Sequence, residues 1–127
     1  MATTIEYGTY IIDLCTAMLE HPRGLTKAQG QRIAQIRQQT VNFLTDYMQH
    51  ESSALPDLLE YLTHHATPPL ETMHHLCEMI LDGRCGAIQS NYGEAVAEIQ
   101  ECCHVMYDDI DDMRVNLDQL MSTLGMV

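Results

Sequence analysis

The stretch HHATPPLETMHHLCEMILDG, residues 64–83, combines an apolar repeat with two adjacent prolines and a closing Asp-Gly pair. Its apolar positions alternate by four and three residues, the spacing that places side chains on one face of a helix. The same alternation begins upstream, so the pattern predicts one helix over residues 54–82, kinked at Pro69 because proline removes a backbone hydrogen bond. Its expected buried face consists of Leu55, Leu59, Leu62, Ala66, Pro69, Met73, Leu76 and Ile80.

Three further helices are predicted, over residues 3–20, 26–50 and 91–123. Thr26 and Ser53 are the expected N-caps of the second and third helices, and the segment 21–24, HPRG, ends the first. No segment alternates as a strand does. The long 3.5-residue period predicts an all-α four-helix bundle. The fourth helix carries the longest stripe: Tyr92, Val96, Ile99, Cys103, Met106, Ile110, Met113, Leu117, Leu120 and Leu124.

The two halves of the chain resemble each other. Residues 11–20 align with residues 73–82. In the following helices, Gly30, Ile33, Ala34, Ile36 and Asp46 align with Gly93, Val96, Ala97, Ile99 and Asp109. We therefore interpret residues 1–127 as a single helical-bundle domain built from two tandem antiparallel helical hairpins, residues 1–50 and 53–124.

Composition narrows the class of partner. Six Lys+Arg against eighteen Asp+Glu give a net charge of -12, and this charge repels nucleic acid and anionic membranes. The five cysteines do not follow a secreted disulfide framework. We see no signal peptide and no window near the ~18 apolar residues of a membrane span. The expectation is a cytoplasmic protein.

The motif at His64 resembles the phosphoacceptor helix in the dimerisation and histidine-phosphotransfer domain of two-component sensor histidine kinases. That family motif is commonly written HELRTPL, and its helix often ends in LLLDG. By position, His64 falls on the phosphorylated histidine, Pro69 on the motif proline and Leu70 on the leucine that follows. Glu78 and Asp82-Gly83 fall on the usual acidic residue and the closing turn.

Several positions depart from the family motif. His65 replaces the acidic residue, Thr67 the arginine and Pro68 the threonine. In the family, the acid and the threonine serve transfer and dephosphorylation, and neither His65 nor Pro68 can do the same work.

The resemblance implies that the two hairpins form a pseudo-dimer of the kinase bundle in one chain. His64 is then the single candidate phosphoacceptor, since Ala2 occupies the corresponding position of the first hairpin. The resemblance also implies a receiver domain of a response regulator, or a histidine kinase, as partner. The residues expected to contact that partner are His65, Thr67, Pro68, Glu71 and His75.

The chain has no glycine-rich phosphate loop or asparagine box with which to bind ATP. Autonomous kinase activity is therefore excluded, and no cofactor is expected. Phosphohistidine transfer and non-catalytic regulation of the partner both remain as functions.

The alternative is a helical-bundle interaction or metal-binding protein with no phosphorelay role, in which His64 is merely exposed. His74 and Cys77 are spaced i, i+3 and are weak metal candidates, but neighbouring ligand types point to different faces of their helices. The run Asp108–Asp112 is interpreted as a solvated acidic face, and Met18, Met73, Met106 and Met113 as core residues. Either a monomeric pseudo-dimer or a homodimer is compatible with this pattern.

Overall fold

A computed structural model describes residues 3–126, and within that range the chain is helical without a strand. The helices are α1 Thr4–Glu20, α2 Lys27–His50, α3 Leu55–His64, α4 Thr67–Leu81 and α5 Ser90–Thr123. The all-α prediction is confirmed, and the bounds of α1, α2 and α5 lie within one residue of those predicted. None of these helices is long and apolar enough to cross a membrane. Ala2 lies outside the described residues.

The four helices α1, α2, α4 and α5 surround one continuous core. α1 packs against α2 and α5, and α4 packs against the same two helices from the other side. α3 precedes α4 along the chain and packs mainly against α5. The arrangement is a helical bundle, with a core that all five helices supply. Its largest fully buried hydrophobic side chains are Phe43, Ile11, Ile33, Ile36, Leu62, Leu70, Met73, Ile80, Ile99, Met106 and Ile110.

The start of α2 is fixed to the loop between α4 and α5. Thr26 caps α2 as predicted: its hydroxyl accepts from the N–H of Gln29 at 3.0 Å, and its own N–H donates to the Gln29 side chain at 2.8 Å. Gln29 is fully buried and donates to the carbonyls of Gly86 and Ala87 at 3.1 and 3.2 Å. The Thr26 hydroxyl donates in turn to the carbonyl of Cys85 at 2.8 Å. One polar cluster thus joins the start of α2 to the loop between α4 and α5.

The predicted helix over residues 54–82 is two helices, α3 and α4, separated at His65 and Ala66. The expected kink at Pro69 is wrong. The helix is interrupted completely, and the interruption lies before the prolines, at His65 and Ala66. In a continuous helix, neither Pro68 nor Pro69 would have an N–H to donate to the carbonyl four residues earlier. Each proline ring would also clash with that carbonyl. In the first turn of a helix the missing N–H costs nothing, because it has no helical acceptor. The chain therefore ends one helix and starts another just before the prolines.

The buried face of this region also differs from the prediction. Leu70 is 1% exposed whereas Pro69 is only partly buried. Tyr61, which the pattern did not include, is 3% exposed. The apolar stripe otherwise keeps its phase across the break, since Leu62, Ala66, Met73, Leu76 and Ile80 are buried as predicted. Ser53 makes no cap, since α3 begins after Ala54 without a side-chain hydrogen bond.

The predicted stripe of α5 is buried only along part of its length. Met113, Leu120 and Leu124 are 36%, 47% and 58% exposed, so placing them in the core was wrong. The Tyr47 hydroxyl lies 3.9 Å from the Met113 sulfur, which puts the last turn of α2 beside Met113. From there α5 continues to Thr123, roughly 15 Å further along its axis. Fewer neighbouring helices remain to cover it there.

Candidate functional site

The junction between α3 and α4 directs two imidazoles outward. The carbonyl of Tyr61 accepts hydrogen bonds from the N–H groups of His65 and Ala66, at 2.9 and 3.0 Å. The Ala66 side chain is fully buried, which anchors the junction to the core. The side chains of His64 and His65 are 59% and 65% exposed. His64 is the last residue of α3, whereas the sequence pattern had placed it on the flank of a longer helix.

Glu60 lies between these two imidazoles. Its Oε2 atom is 3.7 Å from Nε2 of His64, and its Oε1 atom is 4.0 Å from Nε2 of His65. Both distances exceed that of a hydrogen bond, so each contact is an ion pair only when the imidazole carries a proton. Glu60 is not among the site residues predicted from the sequence. The signal that could have found it is the i, i+4 spacing of Glu60 and His64 on one helix.

A groove of ≈ 450 Å³ runs between α4 and α5. Glu71 and His75, both predicted as partner contacts, line it together with His74 and Glu78 of the same helix. The α5 side supplies Cys103, His104 and Tyr107, and Leu70 completes the lining.

The other predicted contacts lie outside this groove. His65 and Pro68 are exposed at the α3–α4 junction, and Thr67 is partly buried there. Glu71 follows Thr67 by one helical turn, roughly 6 Å along the axis. The structure therefore places the predicted partner residues in two neighbouring groups, one at the α3–α4 junction and one along the groove.

The weak metal candidates are not brought together. Nδ1 of His74 lies 2.9 Å from Oε1 of Glu78, whereas the Cys77 side chain is fully buried in the core. Burial raises the pKa of the Cys77 thiol, which disfavours the thiolate that binds metals. Within residues 3–126, no group of three His, Cys, Asp or Glu side chains is arranged to hold a metal ion.

The run Asp108–Asp112 lies on the surface of α5 around the buried Ile110. Asp111 pairs with Arg114 at 3.0 Å, and Asp108 lies 3.9 Å from His104. The exposed carboxylates fan around the helix axis as the interpretation of a solvated face requires.

Chemically, the junction offers an accessible imidazole nucleophile beside a carboxylate that can take up a proton. The groove beside it offers an open surface with acidic and imidazole groups. No protein-family model, no curated protein and no solved structure matches the chain.

Proposed function

We propose that this chain is a cytoplasmic two-component signalling module that resembles a histidine kinase dimerisation and phosphotransfer domain. In this role it accepts a phosphoryl group on His64, or binds a response regulator or kinase as a non-catalytic regulator. The observation that carries the proposal is the exposed imidazole of His64 with the Glu60 carboxylate 3.7 Å away. Phosphotransfer from a receiver requires a ring nitrogen that an in-line donor can reach.

The transfer step can be written with the residues at the junction. A lone pair on a ring nitrogen of His64 attacks the phosphorus of a receiver's aspartyl phosphate. The N–P bond forms, the acyl P–O bond breaks, and the receiver carboxylate leaves with the electron pair. The other ring nitrogen then loses its proton. Glu60 lies beside Nε2, so Glu60 takes up the Nε2 proton and Nδ1 is the attacking atom.

This assignment accommodates the departures from the family motif. The acid that the family has directly after its histidine is His65 here. Glu60 brings a carboxylate to the same imidazole from the preceding helical turn. No hydroxyl occupies position 68, where the family threonine assists dephosphorylation. A phosphoryl group on His64 is therefore expected to be lost slowly.

The groove between α4 and α5 is the proposed docking surface for the partner. Glu71 and His75 are exposed along it and follow the His64 junction directly on α4. A receiver that delivers a phosphoryl group to His64 would lie against this face.

Matched burial in the two halves supports the tandem-hairpin interpretation. Aligned positions of α1 and α4, such as Cys15 and Cys77, are both fully buried. Aligned positions of α2 and α5, such as Ile36 and Ile99, are fully buried as well. In this interpretation one chain forms the pseudo-dimer, and the functional form is a monomer with one acceptor histidine.

The test is a calorimetric titration of this protein with a panel of receiver domains, each with and without acetyl phosphate as phosphodonor. At least one receiver should bind, and Glu71→Ala with His75→Ala should weaken that binding about tenfold or more. Glu94→Ala is the matched control, because Glu94 is exposed on α5 outside the groove. The proposal would be refuted if no receiver binds, or if Glu94→Ala loses as much affinity as the double variant.

A further inference from the structure

One end of the molecule combines strong negative charge with uncovered apolar side chains. We call it the acidic end and define it as residues 44–59 and 106–126. It contains eight Asp or Glu residues and a single basic residue, Arg114. The other five Lys and Arg residues all lie elsewhere: Arg23, Lys27, Arg32, Arg37 and Arg84. The acidic end thus carries a net charge of -7 (8 acidic, 1 basic) and the longer remainder of the chain -5 (10 acidic, 5 basic). Negative charge is densest at the acidic end, which therefore attracts a positively charged partner.

An apolar stripe runs along α5 at this end. Met113, Leu120 and Leu124 follow one another by seven and four residues, the spacing of one helix face. They are 36%, 47% and 58% exposed, while Leu117 and Met121 beside them are 9% and 2% exposed. The bundle thus covers one side of the stripe and leaves the other side exposed. The exposed side is about 16 Å long, which corresponds to three turns of a second helix.

A cavity adjoins this stripe at Met113. Its volume is ≈ 170 Å³, and it is lined by Tyr47, Glu51, Leu58, Tyr61, Leu62 and Met113. The hydroxyl of Tyr61 is buried and has no hydrogen-bond partner among residues 3–126. The Tyr61 ring is held in place by stacking on His50, with centroids 4.0 Å apart. A buried hydroxyl without a hydrogen-bond partner destabilises the folded protein. A ligand that enters the cavity can supply the missing hydrogen bond.

We propose that the acidic end binds a basic amphipathic helical segment of a partner protein. The apolar face of that helix covers Met113, Leu120 and Leu124. One lysine or arginine of the segment enters the cavity, where the Glu51 carboxylate neutralises it and the aromatic rings of Tyr47 and Tyr61 contact it. The Tyr61 hydroxyl accepts a hydrogen bond from the cation. This surface uses the side chain of Tyr61, whereas the junction that carries His64 uses only the Tyr61 backbone carbonyl.

A second copy of this chain fits the surface poorly. A two-fold contact would bring the same patch of each copy together. Eight acidic residues and one arginine would then face an identical set, and like charges across an interface oppose association. A basic segment provides the opposite charge for the same apolar area.

The probe is a synthetic amphipathic peptide of about four helical turns with leucine on one face and lysine on the other. Its counterpart carries glutamate in place of lysine. The lysine peptide should bind the full chain, and its affinity should fall about tenfold between low and high salt because charge screening weakens it. The glutamate peptide should not bind. Equal binding of both peptides would overturn the proposal.

Variants of the stripe locate the binding surface. Leu120→Ser with Leu124→Ser should weaken the lysine peptide about tenfold or more, because both leucines lose apolar contact. Val115→Ser is the matched control: Val115 is 37% exposed but points to the opposite side of α5 by helical spacing. Unchanged affinity in the double variant would contradict the proposal. The proposal would also be contradicted if sedimentation detects a concentration-dependent dimer of the wild type that is absent in the double variant.

Tyr61→Phe separates a binding role from a structural one. Removing the unpaired hydroxyl should raise the unfolding temperature, since a buried polar group without a partner disappears. The same change should weaken the lysine peptide several-fold. A variant that is more stable yet binds the peptide as tightly as the wild type would remove the cavity from the proposed surface.

Discussion

Nε2 of His64 lies 3.7 Å from Oε2 of Glu60, four residues earlier on α3. Both side chains are more than half exposed, so the pair is open to a partner protein. The His64 side chain is 59% exposed, and α3 ends at this residue. A donor can therefore approach the ring from the solvent side while the carboxylate stays beside the other nitrogen.

Glu60→Gln should slow phosphotransfer to His64 about a hundredfold, since it removes the group that takes up the Nε2 proton. The measurement is the initial rate of label transfer from a phosphorylated receiver. Asp57→Asn is the matched control on the same helix, because Asp57 is exposed but not paired with His64. An unchanged rate in Glu60→Gln would remove the carboxylate from the mechanism.

Changing both Pro68 and Pro69 to alanine should join α3 and α4. The two restored N–H groups can then donate to the carbonyls of residues 64 and 65. NMR chemical shifts of residues 64–67 should become helical, and far-UV circular dichroism should gain intensity. Pro56→Ala is the control, because Pro56 lies in the first turn of α3 and its replacement leaves the junction intact. A break that persists in the double variant would show that the prolines do not cause it.

The helices were predictable from sequence because their apolar period and caps are local signals. Thr26 and Gln29 form the capping box of α2, and the length of the heptad pattern predicted the 34 residues of α5. The break at His65 was not predicted, although Pro68 and Pro69 were visible, because the periodicity continued through them. The exposure of Leu120 was not predictable either. It depends on where α2 ends in space, and a stripe in sequence does not say which helix covers it.

The candidate site was predicted only in part for the same reason. The exposure of His64 follows from its position opposite the apolar face. Its neighbour Glu60 was not predicted because the family motif has its acidic residue after the histidine, whereas Glu60 precedes His64 by one helical turn. The buried hydroxyl of Tyr61 depends on packing between three helices, which no local pattern encodes.

Gln29→Ala should lower the free energy of unfolding by about 2–3 kcal/mol. The change removes half of the α2 capping box and the two hydrogen bonds that the buried Gln29 side chain donates to the carbonyls of Gly86 and Ala87. Urea denaturation followed by circular dichroism measures the loss. Gln31→Ala, exposed on the same helix, should change stability by less than about 0.5 kcal/mol. Equal effects of the two changes would contradict the structural role of Gln29.

Stability should fall as pH rises above about 9. Burial raises the pKa of the Cys15 and Cys103 thiols from 9.0 to about 12, so between these values the folded state holds protons that the unfolded state has lost. The slope is up to ~1.4 kcal/mol per pH unit for each thiol. Urea denaturation between pH 8 and pH 11 measures it.

Cys15→Ser tests the origin of this slope. The variant lacks one of the buried thiols, so its unfolding free energy should depend less steeply on pH than that of the wild type. Identical slopes in the two proteins would show that Cys15 does not hold its proton in the folded state.

The most direct test of the central claim is the position of label after incubation with a receiver domain carrying radioactive aspartyl phosphate. The account predicts one base-stable, acid-labile phosphoryl group on Nδ1 of His64, absent in His64→Gln and retained in His65→Gln. Label that survives in His64→Gln, or a wild-type protein that no receiver labels, would contradict phosphotransfer through His64.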